Sequence, residues 1–114
     1  MSSSFVRAWT SGGIAVGVLV VMTVPGDTAQ FESFAAANKD RVEELSEKAK
    51  AAGCIGHRFA VGDGQIIVVD EWDSEESFQG FFDSQPEIPK VMQEVATGEP
   101  QISFYRPLET GDDF

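Results

Sequence analysis

The sequence is poor in the residues that build most reactive centres. It has one cysteine, Cys54, and one histidine, His57. A single thiol excludes an internal disulfide and any zinc site made of several thiolates. It fits a reducing, intracellular setting, so a cytoplasmic protein is expected. Positive charge is scarce: 8 Lys and Arg stand against 19 Asp and Glu, a net charge of -11. Such a chain repels phosphate backbones and anionic lipid, so nucleic acid and membranes are not expected partners. Long apolar runs are missing too. The stretch 14–24 follows Arg7 much as a signal-peptide core would, but it is too short to span a bilayer and its β-branched residues suit a strand. No phosphate-binding glycine loop, nucleotide fingerprint or metal-ligand cluster occurs. The carboxylates of 70–76 lack calcium-loop spacing and suit the start of a helix. Neither a metal nor an organic cofactor is expected.

What remains is enough apolar sequence for one core. At 114 residues the chain is expected to form one domain, 14–108, between a flexible N-terminal arm, 1–13, and an acidic C-terminal tail, 109–114. Residues 16–24 are almost continuously apolar and close on Pro25-Gly26, which suits a strand buried on both faces. Asp27 can cap a helix in which Phe31, Phe34, Val42, Leu45 and Ala49 recur at helical spacing before Gly53 ends it. Asn38 interrupts that stripe and turns an amide towards whatever the helix covers. It would either donate to a ligand oxygen or satisfy a buried backbone group.

Residues 54–61 and 65–72 read as two strands around Gly62-Asp63-Gly64, a strong hairpin signal. If Asp63-Gly64 is a two-residue type I′ loop, Phe59 pairs with Val68, His57 with Asp70 and Ile55 with Trp72. A three-residue loop would set His57 against Val69 instead. Asp73 or Ser74 caps a second helix carrying Phe78, Phe81 and Phe82, with Glu76 three residues after Asp73 as in a capping box. Pro86 and Pro89 should interrupt it. Ile88, Val91, Met92 and Val95 resume the stripe, and 102–108 alternate as a last strand. The order is βαββαβ. The expected fold is therefore α+β and ferredoxin-like, an antiparallel four-stranded sheet with helices on one face. Its first and third strands are apolar on both faces, so the uncovered face calls for a partner, and a sheet-to-sheet homodimer is the economical answer.

With these elements in place, the chain resembles the antibiotic biosynthesis monooxygenase (ABM) family of the dimeric α+β barrel superfamily. The likeness rests on Pro25-Gly26 before the long helix and Gly53-Cys54-Ile55-Gly56 entering the second strand. Its most specific part is Glu71-Trp72-Asp73-Ser74-Glu75-Glu76-Ser77-Phe78 followed by Ser84-Gln85-Pro86-Glu87. The resemblance implies oxidation of a small apolar aromatic compound, a phenol or quinol, in a pocket between helices and sheet without metal or flavin. An electron-rich phenolate can itself reduce oxygen, so the protein need only bind, orient and stabilise charge. A haem-degrading branch of the family uses an asparagine, a tryptophan and a histidine at positions that match Val20, Phe81 and Val91 here, so that chemistry is not implied.

The candidate catalytic residues are His57, Asn38 and Trp72, with Asp70 orienting His57. Trp72, Tyr105, Phe78, Phe81 and Met92 are the candidate ligand contacts. Each has a plainer reading: a core tryptophan, a strand histidine in a surface pair, a dimer-face tyrosine, and phenylalanines packed at helical spacing. Arg58, on the same strand as His57 but one residue on, should face the opposite way. Two other functions fit the same fold, a non-catalytic ligand-binding or structural dimer and a haem-binding protein using His57.

Overall fold

The computed structural model describes residues 17–112. The expected arm, 1–13, lies outside the described residues. The chain runs β1 (Val18–Pro25), α1 (Thr28–Ala37), α2 (Lys39–Ala52), β2 (Cys54–Gly62), β3 (Gln65–Trp72), α3 (Glu75–Ser84), α4 (Glu87–Val95) and β4 (Gln101–Tyr105). The strands form one antiparallel sheet in the order β2-β3-β1-β4. This is the ferredoxin-like α+β arrangement expected from the sequence. No described helix is long and apolar enough to cross a membrane.

Register follows from the hairpin. Gly62 pairs with Gln65, Phe59 with Val68 and His57 with Asp70, as a two-residue loop demands. The turn is not type I′, however, because Gly64 alone has a positive φ, 70°. A bulge at Ile55 then shifts the ladder, so Cys54 rather than Ile55 faces Trp72. The extra residue draws the Cys54 side chain to the core beside Trp72 and leaves Ile55 53 % exposed.

The two expected helices are each divided. Asn38 breaks the first: its φ and ψ, -123° and 36°, leave the helical region, and its Nδ2 donates to the Phe34 carbonyl at 2.9 Å. The side chain competes with the backbone for the same acceptor, which turns one long helix into α1 and α2. The second helix breaks at Gln85-Pro86, where proline cannot continue the ladder but can open α4. Its cap is Ser74, whose Oγ accepts from Ser77 N at 3.1 Å. Glu76 is thus not the partner in a capping box.

All four helices pack on one sheet face. Val20, Met22, Val24, Ile66, Val68 and Trp72 point into that layer and are buried. Met22, Val24, Ile66, Val68 and Val95 form one cluster with Phe31 and Met92 against it; Val20, Trp72 and Phe78 form the second. Trp72 meets Phe78 edge-on at 5.7 Å and tilts against Phe81 at 5.4 Å, ring pairs worth about 0.5–1.5 kcal/mol each beyond their buried area. The other sheet face carries Leu19, Val21, Ile67, Val69 and Tyr105, and no described helix covers it.

The junction from α2 to β2 turns at Gly53, with φ 121°. A Cβ there would stand 2.6 Å from Asp73 Oδ1. Gly53→Ala is expected to cost about 2 kcal/mol through backbone strain and this clash, read as a lowered urea midpoint at unchanged slope.

Candidate functional site

The helices cover β1 and β3 but leave most of the β2 edge exposed. Between that strand and the helical layer lies a cavity of about 400 Å³. Its walls are apolar: Phe31 and Phe34 come from α1, Leu45 from α2, Phe81 from α3, Val91 and Met92 from α4. The apolar stripe of α1 and α2 supplies one wall and the phenylalanine run of α3 another.

On the sheet side a polar assembly interrupts the apolar lining, and Arg41, Ser46, Lys50 and Glu87 add polar groups from the helices. Asp70, 9 % exposed, accepts a hydrogen bond from Trp72 Nε1 at 3.0 Å on one carboxylate oxygen, and its other oxygen meets His57 Nδ1 at 2.7 Å. All three residues line the cavity. They meet because the register pairs His57 with Asp70, while Trp72 is two residues along β3 and so on the same face. A carboxylate accepts only, so the proton in the His57 contact belongs to Nδ1. Neutral His57 therefore keeps a lone pair on Nε2. The ring also stands edge-on to Phe59 at 4.7 Å, and Phe59 in turn meets Phe31 at 5.1 Å.

Of the remaining expected site residues, Phe78, Phe81 and Met92 line the cavity. Trp72 does so from within the core: it is 1 % exposed and its one N–H is spent on Asp70. Asn38 is not part of the lining. Its amide satisfies the Phe34 carbonyl, the second of the two roles the sequence allowed. Tyr105 pairs with Leu19 and stands on the opposite sheet face, away from the cavity, because a strand's side chains alternate. Arg58 faces that way too. Among the described residues no group of three or more His, Cys, Asp and Glu side chains is arranged to hold a metal.

Sequence reasoning gave Cys54 no role at the site. The thiol lines the cavity and donates to the Gly56 carbonyl at 3.3 Å. Burial, reinforced by the charge of Asp70, pushes it up from the ordinary 9.0 to about 12. It is consequently a protonated wall group rather than a nucleophile near neutral pH. The bulge that places it there left no sequence signal beyond Gly56.

No family profile matches this chain, and no curated protein sequence matches it. Solved structures do. A monooxygenase of Streptomyces coelicolor, in complex with the ligand nanaomycin D, is 20 % identical with a TM-score of 0.65, over 84 % of this chain and 91 % of that one. A putative antibiotic biosynthesis monooxygenase from Caulobacter crescentus is 21 % identical with a TM-score of 0.60, over 83 % and 92 %. The chain has the fold of the antibiotic biosynthesis monooxygenases. A dimeric ferredoxin-like protein from an uncultured marine organism shares it as well, at 17 % identity and a TM-score of 0.63, over 87 % and 94 %.

Two outcomes are expected from the raised Cys54 pKa. At pH 8 the folded protein should react with iodoacetamide about a hundredfold or more slowly than the urea-unfolded chain, since the thiolate fraction falls about tenfold per unit. The thiol also holds its proton more tightly when folded, so its contribution to stability is intact below pH 9.0 and is lost as the pH rises towards about 12. Urea midpoints measured across that range check the second.

Proposed function

We propose that this protein is a homodimeric, cofactor-independent monooxygenase of the ABM family acting on a small polycyclic phenol or quinol. The observation that carries the reading is the Trp72–Asp70–His57 chain set into a mainly apolar cavity of about 400 Å³. That volume lies within the range of small-molecule sites, and a few convergent polar groups on apolar walls are what such sites use for orientation. Neighbours of the same fold include a monooxygenase in complex with the ligand nanaomycin D, which supports the reaction class.

His57 Nε2 takes the proton of the substrate hydroxyl, and Asp70, on the far side of the ring, stabilises the imidazolium that results. Trp72 holds the second oxygen of Asp70 and so fixes the orientation of the pair. The phenolate then reduces oxygen directly. The aromatic walls hold the ring and exclude water, which strengthens the ion pair between phenolate and imidazolium. Balanced for a tricyclic hydroxyarene such as the enol form of anthrone, the reaction consumes one O₂ and yields the quinone and water. One oxygen atom enters the ring, the other leaves as water, and the substrate supplies every electron. Asn38 and Tyr105 have no part in this scheme.

The uncovered sheet face supports the dimer. Leu19, Val21, Ile67 and Val69 form an apolar surface there, with Val69 41 % exposed in the single chain. A two-fold partner that lays the same face against it would bury that surface on both copies.

Anthrone oxidation, followed by oxygen uptake and quinone absorbance, is expected to be faster with the protein than without it. His57→Ala should lower the catalysed rate by about a hundredfold or more. A rate equal to buffer for the wild type would leave a ligand-binding or structural dimer instead. Sedimentation equilibrium should give twice the 12.4 kDa chain mass, and Val69→Asp should shift it to the monomer; a wild-type monomer at micromolar concentration refutes the dimer.

A further inference from the structure

The floor of the cavity offers its ligand no positive charge. Trp72 Nε1 and His57 Nδ1 both donate to Asp70, and what His57 leaves open in its neutral form is an acceptor. The cations on the cavity lining are Arg41 and Lys50, both on α2. They are differently engaged. Lys50 binds Glu47, its neighbour three residues back on the same helix, in a highly exposed local pair. Arg41 reaches across to α4, where its Nη2 donates to Glu87 Oε2 at 2.9 Å. Both partners of that bond line the cavity and both are partly exposed, so the pair crosses the rim between the two helices.

Two features make this pair exchangeable. It is a single hydrogen bond, although a guanidinium carries five N–H donors in a planar fork that matches a carboxylate two at a time. It is also exposed, so solvent and salt weaken it. A carboxylate carried on a ligand that fills the apolar cavity would meet the same fork with its orientation already fixed by the walls. It would form the bidentate contact that Glu87 does not. The setting gives this weight: in a chain with net charge -11 an anionic ligand is repelled everywhere except where a cation faces it.

We infer that the substrate is an aromatic acid, a polycyclic phenol that also bears a carboxylate, and that Arg41 is the residue that selects it by exchanging Glu87 for the ligand. The inference rests on the assignment of the cavity as a phenol site and adds the second functional group. His57, on β2, receives the hydroxyl and Arg41, on α2, the acid, so two groups on different elements orient the ring.

A matched pair of probes tests it: 2-naphthol, and 6-hydroxy-2-naphthoate, which adds one carboxylate opposite the hydroxyl. Isothermal titration calorimetry on the full chain at pH 7 is expected to show the acid binding about tenfold more tightly than the neutral phenol. Arg41→Gln should abolish that preference and leave 2-naphthol affinity within about twofold, since it removes only an exposed pair. Glu87→Gln, which removes the competing carboxylate, should tighten binding of the acid and not of the phenol. Equal affinities in the wild type, or a preference that survives Arg41→Gln, overturn the inference while leaving the phenol site standing. Binding of neither probe overturns both.

Discussion

The structure turns on one carboxylate placed where carboxylates are expensive. Asp70 stands in the middle of β3 on the helix-covered face, flanked along the strand by Val68 and Trp72. Leaving such a group unpaired would cost several kcal/mol, and two donors of different kinds offset that cost. Trp72 brings the first from the core, and His57 the second from the neighbouring strand. The arrangement ties the orientation of the largest core side chain to that of the titratable ring on the cavity wall. Loss of the carboxylate would release both. A core bond and a chemical bond are here the two oxygens of one residue.

The cavity owes its existence to uneven coverage. α1 and α2 are one amphipathic stripe bent at Asn38, and α3 and α4 are another bent at Gln85-Pro86. α3 and α4 bury Phe78 and Val95 over β1 and β3, α1 and α2 bury no residue, and β2 is left largely open to solvent. The phenylalanines of α1 and α3 line the resulting space instead of filling it. Rings that pack edge-on to one another, as Phe31 does on Phe59 and Trp72 on Phe78, resist collapse because their shape and quadrupoles favour that geometry.

Much of this was legible in the residues. Apolar periodicity located every strand and the two helical regions, and the Asp63-Gly64 turn carried the register that joins His57 to Asp70. The misses have physical causes. For Asn38 the backbone role the sequence allowed is the one found and the catalytic one is not, but that a short amide bonding a carbonyl one turn back would also break the helix was not foreseen. The bulge at Ile55 cost a residue of register and brought Cys54 inward, which periodicity cannot reveal because a bulge is a departure from periodicity. Tyr105 was assigned by chemistry without its face, and in a strand the face decides. The Arg41–Glu87 contact joins residues 46 apart in sequence, and only the packed helices bring them together.

The open β2 edge has a consequence for how the molecules coexist in solution. Ile55, Phe59 and Val61 are exposed along a nine-residue strand whose outer backbone groups face no other strand among the described residues. An edge of that length is a template on which another copy could add, and the chain carries no proline along it. At neutral pH the repulsion from a net charge of -11 opposes addition along this edge, which is a different surface from the sheet face of the proposed dimer. Near the isoelectric point, about 4.2, that repulsion vanishes while the adhesive edge remains, so colloidal stability in this protein is a property of its surface charge and not of its fold.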